Sequence, residues 1–203
     1  MPTLHERARQ WVEKANKNVP KLRKKIKKKH FFIALGLIFL FIFLNYDIKA
    51  VIVVTILGLL ASYSTVWKRY LRGFPSSVEL LTFGTVITGI AYGPPAGFLF
   101  GFITNFAAEV ISGAVDVFTF LYIFLRGIIG VVAYYLYFDF HLGIVAIGVI
   151  SAAEFTFMTA PFYLLPGDAE AKLKVYSSFF ISLGMNFIFF TVLGNLVLNF
   201  VLQ

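Results

Sequence analysis

The sequence predicts an all-α protein, a polytopic transmembrane helical bundle of six to seven spans with a basic cytoplasmic N-terminal tail. Three observations predict it. Hydrophobic residues make up 59% of the chain against 14% charged, at a mean hydropathy of +0.83. A soluble domain of 203 residues has no interior large enough for that much apolar side chain. The apolar residues also come in long runs, such as Phe31 to Leu44 and Val117 to Leu125, and not in an amphipathic rhythm. In lipid such runs are helices, because a helix satisfies its own backbone, whereas a membrane barrel shows short alternating segments. Finally, the net positive charge is confined to one end. Residues 1–30 carry eleven Lys or Arg against Glu6 and Glu13, a balance of +9. The other 173 residues hold seven basic and eight acidic side chains, a balance of −1.

The chain divides into the tail, 1–30, and the bundle, 31–203. Clustered Lys and Arg hold an N-terminus in the cytoplasm and attract anionic headgroups, so the lipid bilayer is the tail's expected partner. Its first part, LHERARQWVEKANK, forms an interfacial helix if Leu4, Ala8, Trp11 and Val12 face lipid. The basic region is too long for a signal peptide, and no small-residue cleavage site follows Leu44. Nucleic-acid binding is not expected of KLRKKIKKKH, which has neither interleaved aromatics nor a supporting fold.

Seven apolar segments follow, at 31–45, 48–67, 79–92, 95–112, 117–138, 142–165 and 175–202. The breaks are NYDIKA, KRYLRGFPSS, GPP, SGAVD, FDFH and PGDAEAKLK. The third segment is short for a crossing, which needs about 20 residues. With the tail inside, Lys68, Arg69, Arg72, Lys172 and Lys174 fall on the cytoplasmic side. Lys49, the turn from Gly93 to Pro95, Asp139 to His141 and the C-terminus then lie outside. The expected location is the cell membrane.

Reactive chemistry is scarce. There is no cysteine, and His5, His30 and His141 are scattered, so no metal site is expected. The sequence has no HExxH, GxSxG or phosphate-loop pattern, and no paired Asp at membrane depth. Neither enzyme activity nor a cofactor is expected.

The stretch GPPAGFLFGFITNFAAEVISG, residues 93–113, carries the strongest local signal. Gly93, Gly97 and Gly101 recur every fourth position, the spacing that lets membrane helices approach closely. Pro94 and Pro95 suit a first helical turn, where a missing N–H costs nothing. Asn105 and Glu109 continue the spacing with polar groups. With Arg126, Glu154 and Asn186 they form the expected ligand-binding set, since intramembrane polar groups normally face a cavity or one another. Two pairings compete for Arg126. One is a structural latch to Glu109 or Asp116. The other is a counter-charge from Glu154, with Asn105 lining the same pocket.

The span FPSSVELLTFGTVITGIAYGPPAGFLFGFITNFAAEVISG, residues 74–113, resembles the substrate-binding S-components of energy-coupling-factor transporters. It is also similar to the glycine-rich helix pair of the cell-shape protein MreD. The resemblance covers about a fifth of the chain. It implies a six-helix bundle that binds a small solute and docks on separate energising subunits. Glu79 matches the acidic head of the first helix, Gly93 and Pro94 the GP turn, Gly97 and Gly101 the packing face, and Asn105 the polar position after it. That family places the GP turn in the cytoplasm, opposite to the side given by the charges. The MreD likeness implies instead a non-transporting scaffold that acts through contacts with other membrane proteins.

Overall fold

The computed structural model describes residues 6, 10, 48–66, 70, 80–113, 115, 118–164 and 169–203. The basic tail (Glu6 and Gln10 apart), the expected 31–45 segment, Glu79 and Asp116 lie outside the described residues. Among the described residues the regular structure is entirely helical. In chain order the helices are α1 (Ile48–Tyr63), α2 (Leu81–Tyr92), α3 (Pro94–Ser112), α4 (Thr119–Phe138), α5 (Ile144–Leu164) and α6 (Ala169–Phe189). A π-helical turn, Phe190–Gly194, then passes without a break into α7 (Asn195–Leu202).

Four stretches are long and apolar enough to cross a membrane: Pro94–Ser112, Thr119–Phe138, Ile144–Phe162 and Val175–Leu202. Helices α1 and α2 are apolar but shorter. The distribution of side chains fits lipid as the solvent. Phe157, Phe180 and Leu196 are about two-thirds exposed, while Arg126, Asn105, Ser151 and Asn186 are buried. A water-soluble protein sorts these residue types the other way round.

Helix α2 is the axis of the bundle. All ten residues from Leu81 to Ile90 are buried, and α2 packs against α1, α3, α4, α5, α6 and α7. Its twelve residues span about 18 Å at 1.5 Å per residue, well short of a bilayer core. Being short costs α2 little, because its neighbours, not lipid, surround it. One side of α2 gives Phe83, Val86, Ile87 and Ile90 to the main core with Ile129, Ile147 and Phe190. The other side meets α1 and α3 through Leu81, Ala61, Phe100 and Ala108.

The turn from α2 to α3 is a single residue. Gly93 has φ +90° and ψ 170°, a conformation that glycine adopts freely and other residues rarely. Pro94 and Pro95 fill the first helical positions after it. Helix α3 ends on Gly113 in the left-handed conformation, its N–H bonded to the Glu109 carbonyl. The turn from α4 to α5 contains His141 at φ +52°.

From α1 to α6, successive helices run antiparallel. Lys49, at the start of α1, places its Nζ 5.1 Å from the centroid of the Phe200 ring at the end of α7. The start of α1 and the end of α7 therefore share one end of the bundle. At the opposite end of α1, the Leu80 N–H donates to Ser64 Oγ. Ser62 donates to the α3 carbonyl of Thr104, and the Thr65 hydroxyl, which donates to the Ser62 carbonyl at 2.8 Å, lies 3.4 Å from the Ala108 carbonyl of α3. Such bonds give the hydroxyls the partners that water would supply outside a membrane.

A buried polar centre around Arg126

Four glycines build the scaffold of the site. A Cβ on Gly97 would stand 2.6 Å from Gly89 Cα and 2.9 Å from the Gly130 carbonyl oxygen. One turn on, a Cβ on Gly101 would stand 2.5 Å from the Arg126 carbonyl oxygen and 2.9 Å from Thr85 Cγ2. Backbones of α2, α3 and α4 therefore touch at the Gly97 level, and those of α3 and α4 touch again at the Gly101 level, where α2 contributes the Thr85 side chain. Gly97 and Gly101 stand at this contact. Gly93 stands instead at the turn, where the nearest atom to an added Cβ is Pro95 Cδ at 3.9 Å. Its glycine answers to φ and not to packing. The sequence spacing hid Gly89 and Gly130, which supply the other two sides of the contact from different helices.

The glycine contacts fix the register between α3 and α4. Gly97 lies against Gly130, and Gly101 against Arg126. One turn further, Asn105 falls at the level of Tyr122, and the next turn brings Glu109 to that of Phe118. Glu109 thus lies two turns below Arg126, about 12 Å at 1.5 Å per residue.

Arg126 is 1% exposed. Its Nη1 donates to the hydroxyl oxygen of Thr82 in α2. Its guanidinium carbon lies 3.8 Å from the centroid of the Phe155 ring in α5, a close cation–π arrangement. Tyr122 joins the same wall, with its ring 6.4 Å from that of Phe155. Arg126 is therefore held by a hydroxyl on one side and an aromatic face on another.

Glu154 is not the counter-charge to Arg126. It forms no ion pair with that guanidinium, and its Oε2 makes no hydrogen bond. Consecutive residues of a helix point about 100° apart. It is Phe155 that α5 turns towards Arg126, which leaves Glu154 about 100° round the helix from that face. Depth alone would have allowed the pair, and rotation about the helix axis forbids it.

Asn105 and Asn186 are buried like Arg126, whereas Glu109 and Glu154 are only partly buried. Asn105 is 2% exposed, and its Nδ2 makes no hydrogen bond. Asn186 is 1% exposed and donates from Nδ2 to the Ser182 carbonyl at 2.9 Å, while its Oδ1 makes none. Asn186 belongs to α6, away from the glycine contact. Four of the five expected residues thus fall on two pairs of helices, Arg126 with Asn105 on α4 and α3, and Glu154 with Asn186 on α5 and α6. Glu109 lies towards the end of α3. Among the described residues, no group of three or more His, Cys, Asp or Glu is placed to hold a metal ion.

Sequence reasoning missed Thr82 and Phe155. Thr82, Thr85 and Thr88 stand three residues apart in LTFGTVITGIAY, a hydroxyl stripe readable from spacing alone. Phe155 carried no such signal among twenty-five phenylalanines.

No family model, curated protein or solved structure matches this chain.

Proposed function

We propose that this chain is a membrane subunit that binds a small anionic solute beside Arg126 and depends on separate partner subunits for any energy input. One observation carries the reading. A guanidinium is kept fully buried midway along an apolar helix, hydrogen-bonded to Thr82 and stacked on Phe155. Carrying Arg into a membrane interior costs free energy, and such residues tend to mark solute or ion paths. The glycine contacts already hold α2, α3 and α4 together, so packing alone does not call for the charge. In this reading α1 to α5 and the α6–α7 rod are six crossings, and Asn105 adds a neutral donor one turn below the guanidinium. The likeness of residues 74–113 to transporter S-components points the same way.

The test uses purified full-length protein in lipid nanodiscs and a panel of small carboxylates, including lactate, benzoate and glutamate. At least one is expected to raise the thermal unfolding midpoint, because a ligand that binds only the folded state stabilises it by mass action. That shift should vanish in Arg126→Gln. If no carboxylate shifts the midpoint, the scaffold reading replaces this one.

Orientation has its own test. The chain has no native cysteine, so Pro95→Cys is a unique label site on an exposed position. A membrane-impermeant maleimide added outside intact cells is expected to reach it, as the charge distribution requires. Labelling only after the cells are opened would invert the bundle and match the S-component arrangement instead.

A further inference from the structure

The seam between α5 and α6 is pinned at two places. Gly148 makes room for the Phe190 ring, and Ile144 lies beside Gly194. Further along, the Phe157 and Phe179 rings meet with centroids 5.6 Å apart. Between these anchors, one turn from the Gly148–Phe190 contact brings Ser151 opposite Asn186 or Phe187. Asn186 is 1% exposed and Phe187 54%, so Asn186 is the one that faces inward. The next turn of α5 adds Glu154.

Each of these three side chains has an oxygen that makes no hydrogen bond: Ser151 Oγ, Glu154 Oε2 and Asn186 Oδ1. The Asn186 amide cannot be reversed without losing its bond to the Ser182 carbonyl, because only its nitrogen can donate. Its oxygen is therefore an acceptor turned off its own helix. Ser151 is unusual in another way. Thr55, Thr85, Thr104, Thr156 and Thr159 all donate to the carbonyl four residues back, the common arrangement for a hydroxyl within a helix. Ser151, fully buried, does not.

Oxygen donors with no nitrogen or sulfur suit a hard cation. One carboxylate balances one positive charge, which favours a monovalent ion, since a divalent ion here would leave net charge within the membrane. The π-helical turn begins one helical turn beyond Asn186, and such turns recur at functional sites. We infer that α5 and α6 bind a sodium ion between Ser151, Glu154 and Asn186. This site is on a different seam from Arg126 and does not depend on the solute reading.

The test is thermal unfolding of the full chain in nanodiscs, titrating sodium chloride into N-methylglucamine chloride at constant ionic strength, with potassium chloride as a second series. Sodium is expected to raise the midpoint by several degrees along a saturating curve, beyond any effect of potassium. Glu154→Gln should abolish the response, and Asn186→Ala and Ser151→Ala should each shift it to higher sodium. Thr156→Ala, one residue off the seam, should keep it. If Glu154→Gln fails to fold, the Asn186 and Ser151 variants decide the matter alone. Identical midpoints in the three chlorides would overturn the proposal, as would variants that respond like the wild type.

Discussion

Gly130→Ala is expected to lower stability by at least about 3 kcal/mol, the upper end of the cost of overpacking a core. Alanine normally improves an exposed helix interior by roughly 0.5–1 kcal/mol over glycine, so the expected sign is the reverse of the intrinsic one. The reason lies in what the new methyl meets. A Cβ on Gly130 runs into the carbonyl carbon, oxygen and Cα of Gly97, and one on Gly89 runs into the Gly130 carbonyl. These are backbone atoms and cannot rotate aside. Relief requires α2, α3 and α4 to separate, which also opens the Gly101 contact one turn away. Gly97→Leu and Gly101→Leu should fail in the same way. Gly184 is the matched control. It lies within α6, and nothing is within 4 Å of its added Cβ. Gly184→Ala should hold or raise stability. Thermal unfolding in one detergent decides between them, and a Gly130→Ala protein as stable as Gly184→Ala would show that the glycine contact does not form.

Thr82→Val and Thr88→Val are expected to move stability in opposite directions, although they are the same substitution six residues apart on α2. Thr82 accepts from a buried guanidinium. Its loss leaves a charged donor without that partner, at about 1–3 kcal/mol or more. Thr82→Ser keeps the hydroxyl and should recover most of it. Thr88 is equally buried, but its Oγ1 makes no hydrogen bond. Replacing it with an isosteric methyl removes an unsatisfied polar group and should leave stability unchanged or raise it by about 1 kcal/mol. Double-mutant cycles extend the comparison. Coupling between Thr82 and Arg126 should exceed that between Glu154 and Arg126, which is expected to stay below about 0.5 kcal/mol. Strong coupling of Glu154 to Arg126 would restore the pairing that the helix rotation excludes.

What the sequence determined by itself was the solvent, the secondary structure and most of the turns. Long apolar runs such as Val117 to Leu125 leave helix as the only backbone that lipid tolerates, and that conclusion needs no tertiary information. Gly93 with Pro94 and Pro95, and Gly113, marked the two ends of α3 through local conformational preference. Spacing within one helix also placed Gly97 and Gly101 on a common stripe.

Relations between helices were decided by tertiary structure. The partners of those glycines, Gly89 and Gly130, lie on other segments, and no periodicity within α3 points to them. The partner of Arg126 could be narrowed by depth, because each residue adds a fixed rise. Azimuth could not be read, because it depends on how each helix is turned about its axis when its neighbours pack. A rotation of one residue, about 100°, decides whether α5 offers Arg126 a carboxylate or an aromatic ring. Packing offered Phe155, and Glu154 was left with an Oε2 that makes no hydrogen bond.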